Sequence, residues 1–335
     1  MGRPRGVDGA VRGAKIRAMR VLPAVIARVG LAALAITLAA CERATPPAAR
    51  RPTASSRAAS APAASPALSP PTWDSAAGPA LLVRGSVFST ALVVLPQYTD
   101  STLPDSLSAD LATLRGDTLL LVARSGPAGH ARVMTLGHSV ATDDCVEWPG
   151  AAIEPTTDDR ASVGWTVAFV GHRAEAIALD SIEGLPSADS AQLAAAITRL
   201  ASSQPDDTSA TFRGIPLVVR MAYRFTPAPH VVAVIADLVR NLNLEASPLE
   251  QHTLLVAERS DSADARYRVA YQARAAGVED SVVTTEVLGA VRFAGSGAVG
   301  VVLMREGPDG IAYVLLERSA AGDWRVRWTS AHAGC

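Results

Sequence analysis

The chain has 335 residues, of which 49% are hydrophobic and 4% are aromatic, and its net charge is −1. This apolar content is sufficient for a buried core. With 31 basic and 32 acidic residues, the chain lacks the basic excess of proteins that bind nucleic acid through its phosphates.

The first 40 residues have the composition of an export signal. Residues 1–28 contain seven basic residues and one acid, Asp8, and an apolar run follows at residues 29–40. The run is too short to cross a bilayer as a helix. Because the basic segment is long, Met19 is a second candidate for the true start of the chain.

The apolar run ends in the sequence LAAC, whose last residue is Cys41. Over residues 19–41, and there only, the chain resembles the signal peptide and lipobox of bacterial lipoproteins. The resemblance implies that residues 1–40 are removed and that lipid on Cys41 anchors the mature chain to a membrane of the cell envelope. Several acyl chains on one residue give stable anchoring. Glu42 stands where inner-membrane lipoproteins usually carry Asp, which favours the outer membrane.

Residues 41–78 are predicted to be the lipidated cysteine and a disordered tether. The tether is rich in Ala, Pro and Ser, which bury too little apolar surface to offset the entropy lost on ordering. Removal of residues 1–40 leaves 31 − 7 = 24 basic and 32 − 1 = 31 acidic residues, a net charge of −7. An acidic, anchored chain is a poor candidate for binding nucleic acid or anionic lipid.

Two cysteines, Cys145 and Cys335, remain in the mature chain. Exported proteins reach compartments in which disulfides form and persist. The sequence therefore predicts a Cys145–Cys335 disulfide, and the alternative is two free thiols.

Aliphatic segments separated by turn residues begin near residue 79. Residues 118–124 predict a buried strand, which a turn joins to a hairpin partner at residues 131–140. Residues 163–170 and 174–182 predict a second hairpin around Gly171.

Three segments have the apolar spacing of helices. They are residues 105–114, a segment with Leu193, Ile197 and Leu200 on one face, and residues 229–244. Asp189 and Gln192 have the spacing of a capping box at the start of the second helix.

Similar segments recur at an offset of 129 to 136 residues, as in the pairs Arg84 and Arg213 or Thr118 and Thr253. This regularity predicts a tandem duplication with halves at residues 79–206 and 207–335. The predicted fold class is α+β, in which each half is a helix packed on an antiparallel curled sheet. The element order is similar to that of cystatin-like and NTF2-like folds, which host enzymes and binding proteins alike.

No catalytic, cofactor-binding or metal-binding residues are predicted. The chain contains no Gly-x-Ser-x-Gly sequence and no phosphate-binding loop, and its six histidines are scattered. Two pairs of aspartates bracket one polar loop, which lacks the alternation of oxygen ligands found in calcium loops. These acids are Asp143, Asp144, Asp158 and Asp159.

Trp324 and Trp328 lie in a segment of strict alternation that predicts a strand with both indoles on one face. They form either a candidate ligand wall or part of the core. The sequence thus predicts an envelope lipoprotein, most simply a non-enzymatic module that binds an envelope protein or a small apolar ligand. The alternatives are an envelope hydrolase with dispersed acidic catalytic residues and a structural envelope component.

Overall fold

The computed structural model describes residues 72–99, 103, 110–137, 141–142, 145–156, 160–205, 211–243, 247–262 and 265–334. These residues contain eighteen strands, one α helix and five short 3-10 helices. The strands up to residue 181 are β1 (Leu81–Arg84), β2 (Thr90–Val94), β3 (Thr118–Ala123), β4 (Gly126–Leu136), β5 (Ala141–Thr142), β6 (Cys145–Val146), β7 (Gly150–Pro155), β8 (Val167–Val170), β9 (Ala174–Ile177) and β10 (Asp180–Ser181). They are followed by α1 (Ser187–Ser202), β11 (Val218–Ala228), β12 (Val231–Leu242), β13 (Leu249–Ser260), β14 (Arg268–Val278), β15 (Thr284–Phe293), β16 (Val299–Gly307), β17 (Gly310–Arg318) and β18 (Trp324–Thr329). The 3-10 helices are Ser75–Ala77, Asp110–Leu114, Arg160–Gly164, Ile182–Gly184 and Glu279–Ser281.

Six strands close into an antiparallel barrel in the order β1, β2, β7, β4, β3, β8. Strand β8 completes it by pairing with β1 on one side and β3 on the other. Large side chains such as Leu81, Leu119, Trp165 and Phe169 are fully buried in the core that includes the barrel. Closure leaves the barrel without the free edges that invite strand pairing with other chains.

Two five-stranded antiparallel sheets follow. Sheet I has the order β10, β11, β12, β13, β14, and sheet II has the order β18, β17, β16, β15, β9. Helix α1 packs on one face of sheet I through Ile197 and Ala201. The other face of sheet I packs on sheet II, where Ile235 and Val256 meet Val301.

The second face of sheet II packs on the barrel, so the layers follow the order α1, sheet I, sheet II, barrel. Alternate residues of one strand therefore enter different cores. In β17, Val314 and Leu316 face sheet I, whereas Tyr313 and Leu315 lie in the core shared with the barrel. A strand buried on both faces is apolar along its length, without polar alternation.

The predicted fold class of two similar α+β halves is wrong. The described residues are mostly β, with one α helix, and the barrel at residues 81–170 has no counterpart later in the chain. Strands β9 and β10 moreover complete the two sheets formed by later residues. The recurring segments therefore belong to different architectures: Thr118 and Thr253 lie in strands of different sheets, and Arg84 ends β1 whereas Arg213 lies in a turn.

The helix predicted at residues 229–244 is strand β12. Its apolar residues fit a helical spacing, but Val231, Val232, Val234, Ile235 and Val239 are β-branched, which favours a strand. Both faces of β12 are covered, by α1 and by sheet II, so its sequence lacks the alternation that marks a half-buried strand. A short apolar run of this kind cannot be assigned from periodicity alone.

Helix α1 confirms the predicted helix with Leu193, Ile197 and Leu200 on its buried side. The predicted capping box is wrong, because the helix begins at Ser187 and its N-cap residue, Pro186, makes no side-chain hydrogen bond. Asp189 lies within the first turn instead, where a negative charge is favourable to the helix dipole.

The first predicted hairpin is confirmed as β3 and β4. The second, around Gly171, is wrong: β8 pairs within the barrel and β9 pairs with β15. Barrel closure uses both edges of β8, so β9 is free to extend sheet II. Of the helix predicted at residues 105–114, the described part is the 3-10 helix Asp110–Leu114.

The Cys145–Cys335 disulfide involves parts of the chain outside the described residues, namely Cys335 and the side chain of Cys145, and it stays a prediction. Val146 and Gly334 exchange both backbone hydrogen bonds in an antiparallel bridge, at 3.3 and 2.9 Å. Residues 146 and 334, the chain neighbours of the two cysteines, are therefore adjacent in the fold.

We expect the exported protein to have a mass two hydrogens below that of its reduced form, which intact-mass spectrometry before and after reduction will measure. The variant Cys145→Ser should lower the free energy of unfolding by about 2–5 kcal/mol, because the bridge no longer constrains the unfolded chain. Two thiols that react with alkylating reagent in the unreduced protein would contradict this prediction.

Candidate functional site

A groove of about 830 Å³ runs along α1 on the outer face of sheet I, and is called the α1 groove below. Leu185 and one side of α1 form one wall. The other wall consists of Arg224 on β11, Arg259 on β13 and residues 265–267, which precede β14. Ligand-binding pockets have volumes of about 300–1,000 Å³, so the α1 groove has the size of a binding site.

The groove lies beside α1, which covers only part of the outer face of sheet I. A 16-residue helix is about 24 Å long, whereas a 12-residue strand such as β12 extends about 40 Å. Leu193, Ala196 and Leu200 line the groove at three- and four-residue spacing, and Tyr267 faces them from the sheet. These side chains are only partly buried, so the floor is apolar and accessible.

Four arginines and one acid, Asp189, line the α1 groove, a charge of 4 − 1 = +3. The Arg259 guanidinium lies 5.3 Å from the centre of the Tyr267 ring, and its Nη1 donates to two backbone carbonyls. Nη2 of Arg224 lies 3.6 Å from Oδ2 of Asp180, within ion-pair distance. No carboxylate of the described residues forms an ion pair with the other three arginines, which are Arg199, Arg259 and Arg266.

A second polar group of residues, Arg220, Asp237, Glu250 and His252, is called the His252 cluster below. Asp237 has a side chain that is 1% exposed, and its Oδ2 accepts a hydrogen bond from Arg220 Nε at 2.5 Å. The same oxygen lies 3.1 Å from Nδ1 of His252. Nε2 of His252 lies 3.2 Å from Oε2 of Glu250. Arg220 also donates from Nη2 to the Thr285 carbonyl at 2.5 Å, which joins the cluster to sheet II.

The pKa of His252 is raised above its ordinary value, first by the hydrogen bond to Asp237 and further by Glu250, while burial and Arg220 oppose the rise. Both ring nitrogens face carboxylates, so the imidazole is favoured in its doubly protonated, cationic form. A general base must have a free ring nitrogen to accept a proton. The geometry of His252 therefore suits an ion pair within the core better than acid–base catalysis.

Trp324 and Trp328 lie on opposite faces of sheet II and do not form a common wall. Residue Val326 pairs with Leu316 and Trp328 pairs with Leu315, so Arg327 is an extra residue in β18. This bulge reverses the alternation on which the one-face prediction depended.

Each indole belongs to a different core. Trp324 lies between the two sheets, where its Nε1 donates to Glu258 Oε1 at 2.7 Å. Glu258 is 3% exposed and also accepts two hydrogen bonds from Arg318, at 2.6 and 3.0 Å. Trp328 is fully buried beside the barrel, and its Nε1 donates to the Pro96 carbonyl at 3.1 Å.

Trp328 also contacts the start of the described fold. Its ring meets that of Trp73 edge to face, with 4.7 Å between the ring centres. Trp73 in turn donates from Nε1 to the Gly78 carbonyl at 2.7 Å.

The remaining sequence-predicted residues are not brought together by the described structure. Cys41 and the loop acids Asp143, Asp144, Asp158 and Asp159 lie outside the residues whose side chains are described. His130 and His172, which are far apart in sequence, have ring centres 6.0 Å apart. Within the described ranges, no group of three or more metal-ligating side chains is found.

Sequence reasoning missed both the α1 groove and the His252 cluster. The cluster was hidden because residues 229–244 were predicted to be a helix, which separates Asp237 from His252. In the strand pairing, Asp237 is opposite Leu254, so it lies diagonally next to His252 on the same face. An acid within a buried β-branched run was the one available signal, because such a residue requires a partner.

Comparisons with known protein families, with curated proteins and with solved structures find no match to this chain. The fold and the site therefore define the class of protein by themselves: a layered, mostly β protein with a basic, apolar-floored groove beside its single described α helix. Among the described residues, no helix combines the length and the apolar composition needed to cross a bilayer.

We expect the free energy of unfolding to fall as the pH rises above about 6.5, the ordinary pKa of histidine. Below that pH, His252 is cationic in both the folded and the unfolded chain, and its attraction to Asp237 and Glu250 is fully present. Above it, the unfolded chain loses the proton first, and the contribution disappears as the pH passes the raised pKa of the folded state.

Denaturant titrations at a series of pH values will measure how the free energy of unfolding changes with pH. The variant His252→Gln should lose the part of this pH dependence that His252 contributes, whereas the control His172→Gln, at an exposed position, should keep the pH dependence of the unaltered protein. An unchanged pH dependence in His252→Gln would show that other groups cause it.

Proposed function

We propose that this protein is a membrane-anchored, non-enzymatic binding module of the cell envelope that holds an acidic, amphipathic segment of a partner protein in the α1 groove. The observation that carries the proposal is the groove itself. It combines an apolar floor with a charge of +3, in a chain whose predicted mature charge is −7. Complementary charge gives such a surface specificity and a faster encounter with an anionic partner.

The distribution of the arginines favours an extended segment over a small apolar ligand. Arg199 lies on the helix wall, whereas Arg224, Arg259 and Arg266 belong to the opposite wall. Carboxylates spaced along a peptide can reach both walls while the apolar side chains between them contact Leu193 and Leu200. A single-headed apolar ligand would pair with one arginine, whereas Arg199, Arg259 and Arg266 all lack a carboxylate partner among the described residues.

The anchor supplies the second part of the proposal. Lipid on Cys41 would hold the chain at a membrane, for which the outer membrane is favoured, and the predicted tether before Trp73 would let the folded part reach its partner. The alternative of an envelope hydrolase gains no support from the His252 cluster, because both nitrogens of His252 face carboxylates.

Fluorescence anisotropy with labelled peptides tests the groove. A short peptide of alternating Glu and Leu should bind the full chain, and its affinity should fall with added salt. The double variant Arg199→Glu and Arg266→Glu should weaken binding, since each reversal costs about 1 kcal/mol and the two together correspond to a loss of about 30-fold.

Two controls separate groove binding from general charge effects. Arg115→Glu changes an exposed arginine outside the groove and should leave the affinity almost unchanged. A peptide of alternating Lys and Leu should bind far more weakly. Equal affinity for both peptides, or an effect of Arg115→Glu as large as that of the groove variants, would refute the proposal.

Membrane fractionation tests the anchor. The variant Cys41→Ser should move the chain from the membrane fraction to the soluble fraction, because it removes the residue that carries the lipid. Cys145→Ser, which replaces a cysteine outside the lipobox, should leave the protein in the membrane fraction. Retention of Cys41→Ser in the membrane would show that another segment is the anchor.

A further inference from the structure

The outer side of strand β14 is an edge of sheet I, and is called the β14 edge below. Strand β14 is last in the order of the sheet, so no described strand pairs with this side of it. None of its residues is buried, whereas β13, which pairs on both sides, has eight buried residues in succession. In the described part of the chain, the β14 edge is therefore accessible to solvent.

The backbone of the β14 edge offers both hydrogen-bond donors and acceptors. Glu279 N donates to the Pro248 carbonyl at 2.9 Å, which fixes the residues of β14 that bond to β13. Because backbone groups alternate in direction along a strand, Gln272, Arg274 and Ala276 direct their N–H and C=O groups away from β13. No described residue hydrogen-bonds to the backbone of Gln272 or Ala276. A row of such groups is a template for a further strand.

The regular part of the β14 edge is as long as an ordinary strand. A bulge between Val256 and Ala257 interrupts the pairing of β13 with the start of β14, and the register is regular over the eight residues 271–278. Eight residues of strand extend about 26 Å, and most strands in globular proteins have about five or six residues. The β14 edge can therefore pair with a complete strand from another chain.

Charge selects the kind of strand that the β14 edge can accept. Residues 265–278 contain no acid and three arginines, namely Arg266, Arg268 and Arg274. Two copies of this chain that paired through β14 would set one basic strand beside another, and like charges opposite each other destabilise a ladder. Opposite charges stabilise it, so the β14 edge favours an acidic strand over a second copy of itself.

We propose that an extended acidic segment of a partner protein adds to sheet I as a sixth strand, antiparallel to β14. Its backbone pairs with Gln272, Arg274 and Ala276, and its carboxylates lie on the side of the Arg274 side chain. In strand addition, the backbone hydrogen bonds supply affinity and the side chains supply specificity. The proposal concerns a different surface from the α1 groove and does not depend on peptide binding there.

Fluorescence anisotropy of the full chain with a labelled peptide of alternating Glu and Thr tests the proposal. Threonine favours strands, and the peptide has no large apolar side chain for the floor of the α1 groove. Ala276→Pro removes an outward N–H and should weaken binding at least about tenfold. Because that N–H takes no part in the ladder with β13, the variant should still unfold cooperatively. The matched control Ala276→Val keeps the N–H and should bind the peptide normally.

Two modified peptides test the pairing without any change to the protein. In an added strand, the N–H groups of alternate residues point to β14 and the others point to solvent. The peptide is therefore N-methylated either at every Glu or at every Thr. One of these two peptides should lose at least about tenfold in affinity, and the other should bind as the unmodified peptide does.

The charge requirement has its own control. A peptide of alternating Lys and Thr should bind at least about tenfold more weakly than the Glu and Thr peptide. The proposal is overturned if Ala276→Pro binds normally, if the two methylated peptides bind equally, or if the Lys peptide binds as well. It is also overturned if sedimentation velocity shows a dimer that Ala276→Pro dissociates, because the occupant would then be a second copy of this chain.

Discussion

The architecture depends on the burial of sheet II on both faces. One face packs on sheet I and the other on the barrel, so its strands supply side chains to two cores at once. Each fully buried aliphatic side chain contributes about 1.5–3 kcal/mol. Neither the barrel nor sheet I would keep its apolar surface covered if sheet II were removed. This explains why β9, which follows the barrel directly, crosses over to extend that sheet.

The same constraint decides what could be predicted from the sequence. Local features could be predicted, since the hairpin of β3 and β4 has a clear turn and helix α1 has a clear apolar face. Strand β12 could not be predicted, because burial on both faces removes the alternation that distinguishes a strand from a helix. The bulge at Arg327 could not be predicted either, and it places Trp324 and Trp328 in different cores. The α1 groove and the His252 cluster each combine residues from separate elements, so only the tertiary structure brings those residues together. Asp237, a lone acid in an apolar run, was the one residue that indicated such a partnership.

Charge is distributed unevenly between the outside and the inside of the sandwich. In the α1 groove the arginines face solvent above an apolar floor, so they can exchange water for the carboxylates of a ligand. In the His252 cluster the charges are buried and paired, and breaking one pair would leave an uncompensated charge in the core. Glu258, held by Arg318 and Trp324, follows the same rule. The groove is thus suited to binding a ligand from solvent, whereas the buried ion pairs fix the packing of sheet I against sheet II.

The contact between Trp73 and Trp328 has a mechanical meaning. If the predicted tether leads to a membrane, a pull on it would act first on Trp73, whose indole packs against the fully buried indole of Trp328. Behind it stands β1, which is hydrogen-bonded to a neighbour on each side within a closed barrel. Beyond this contact, β1 is held by the hydrogen bonds of both ladders. If the proposed anchor and partner both hold the chain, this attachment would oppose unfolding from the Trp73 side of the described residues.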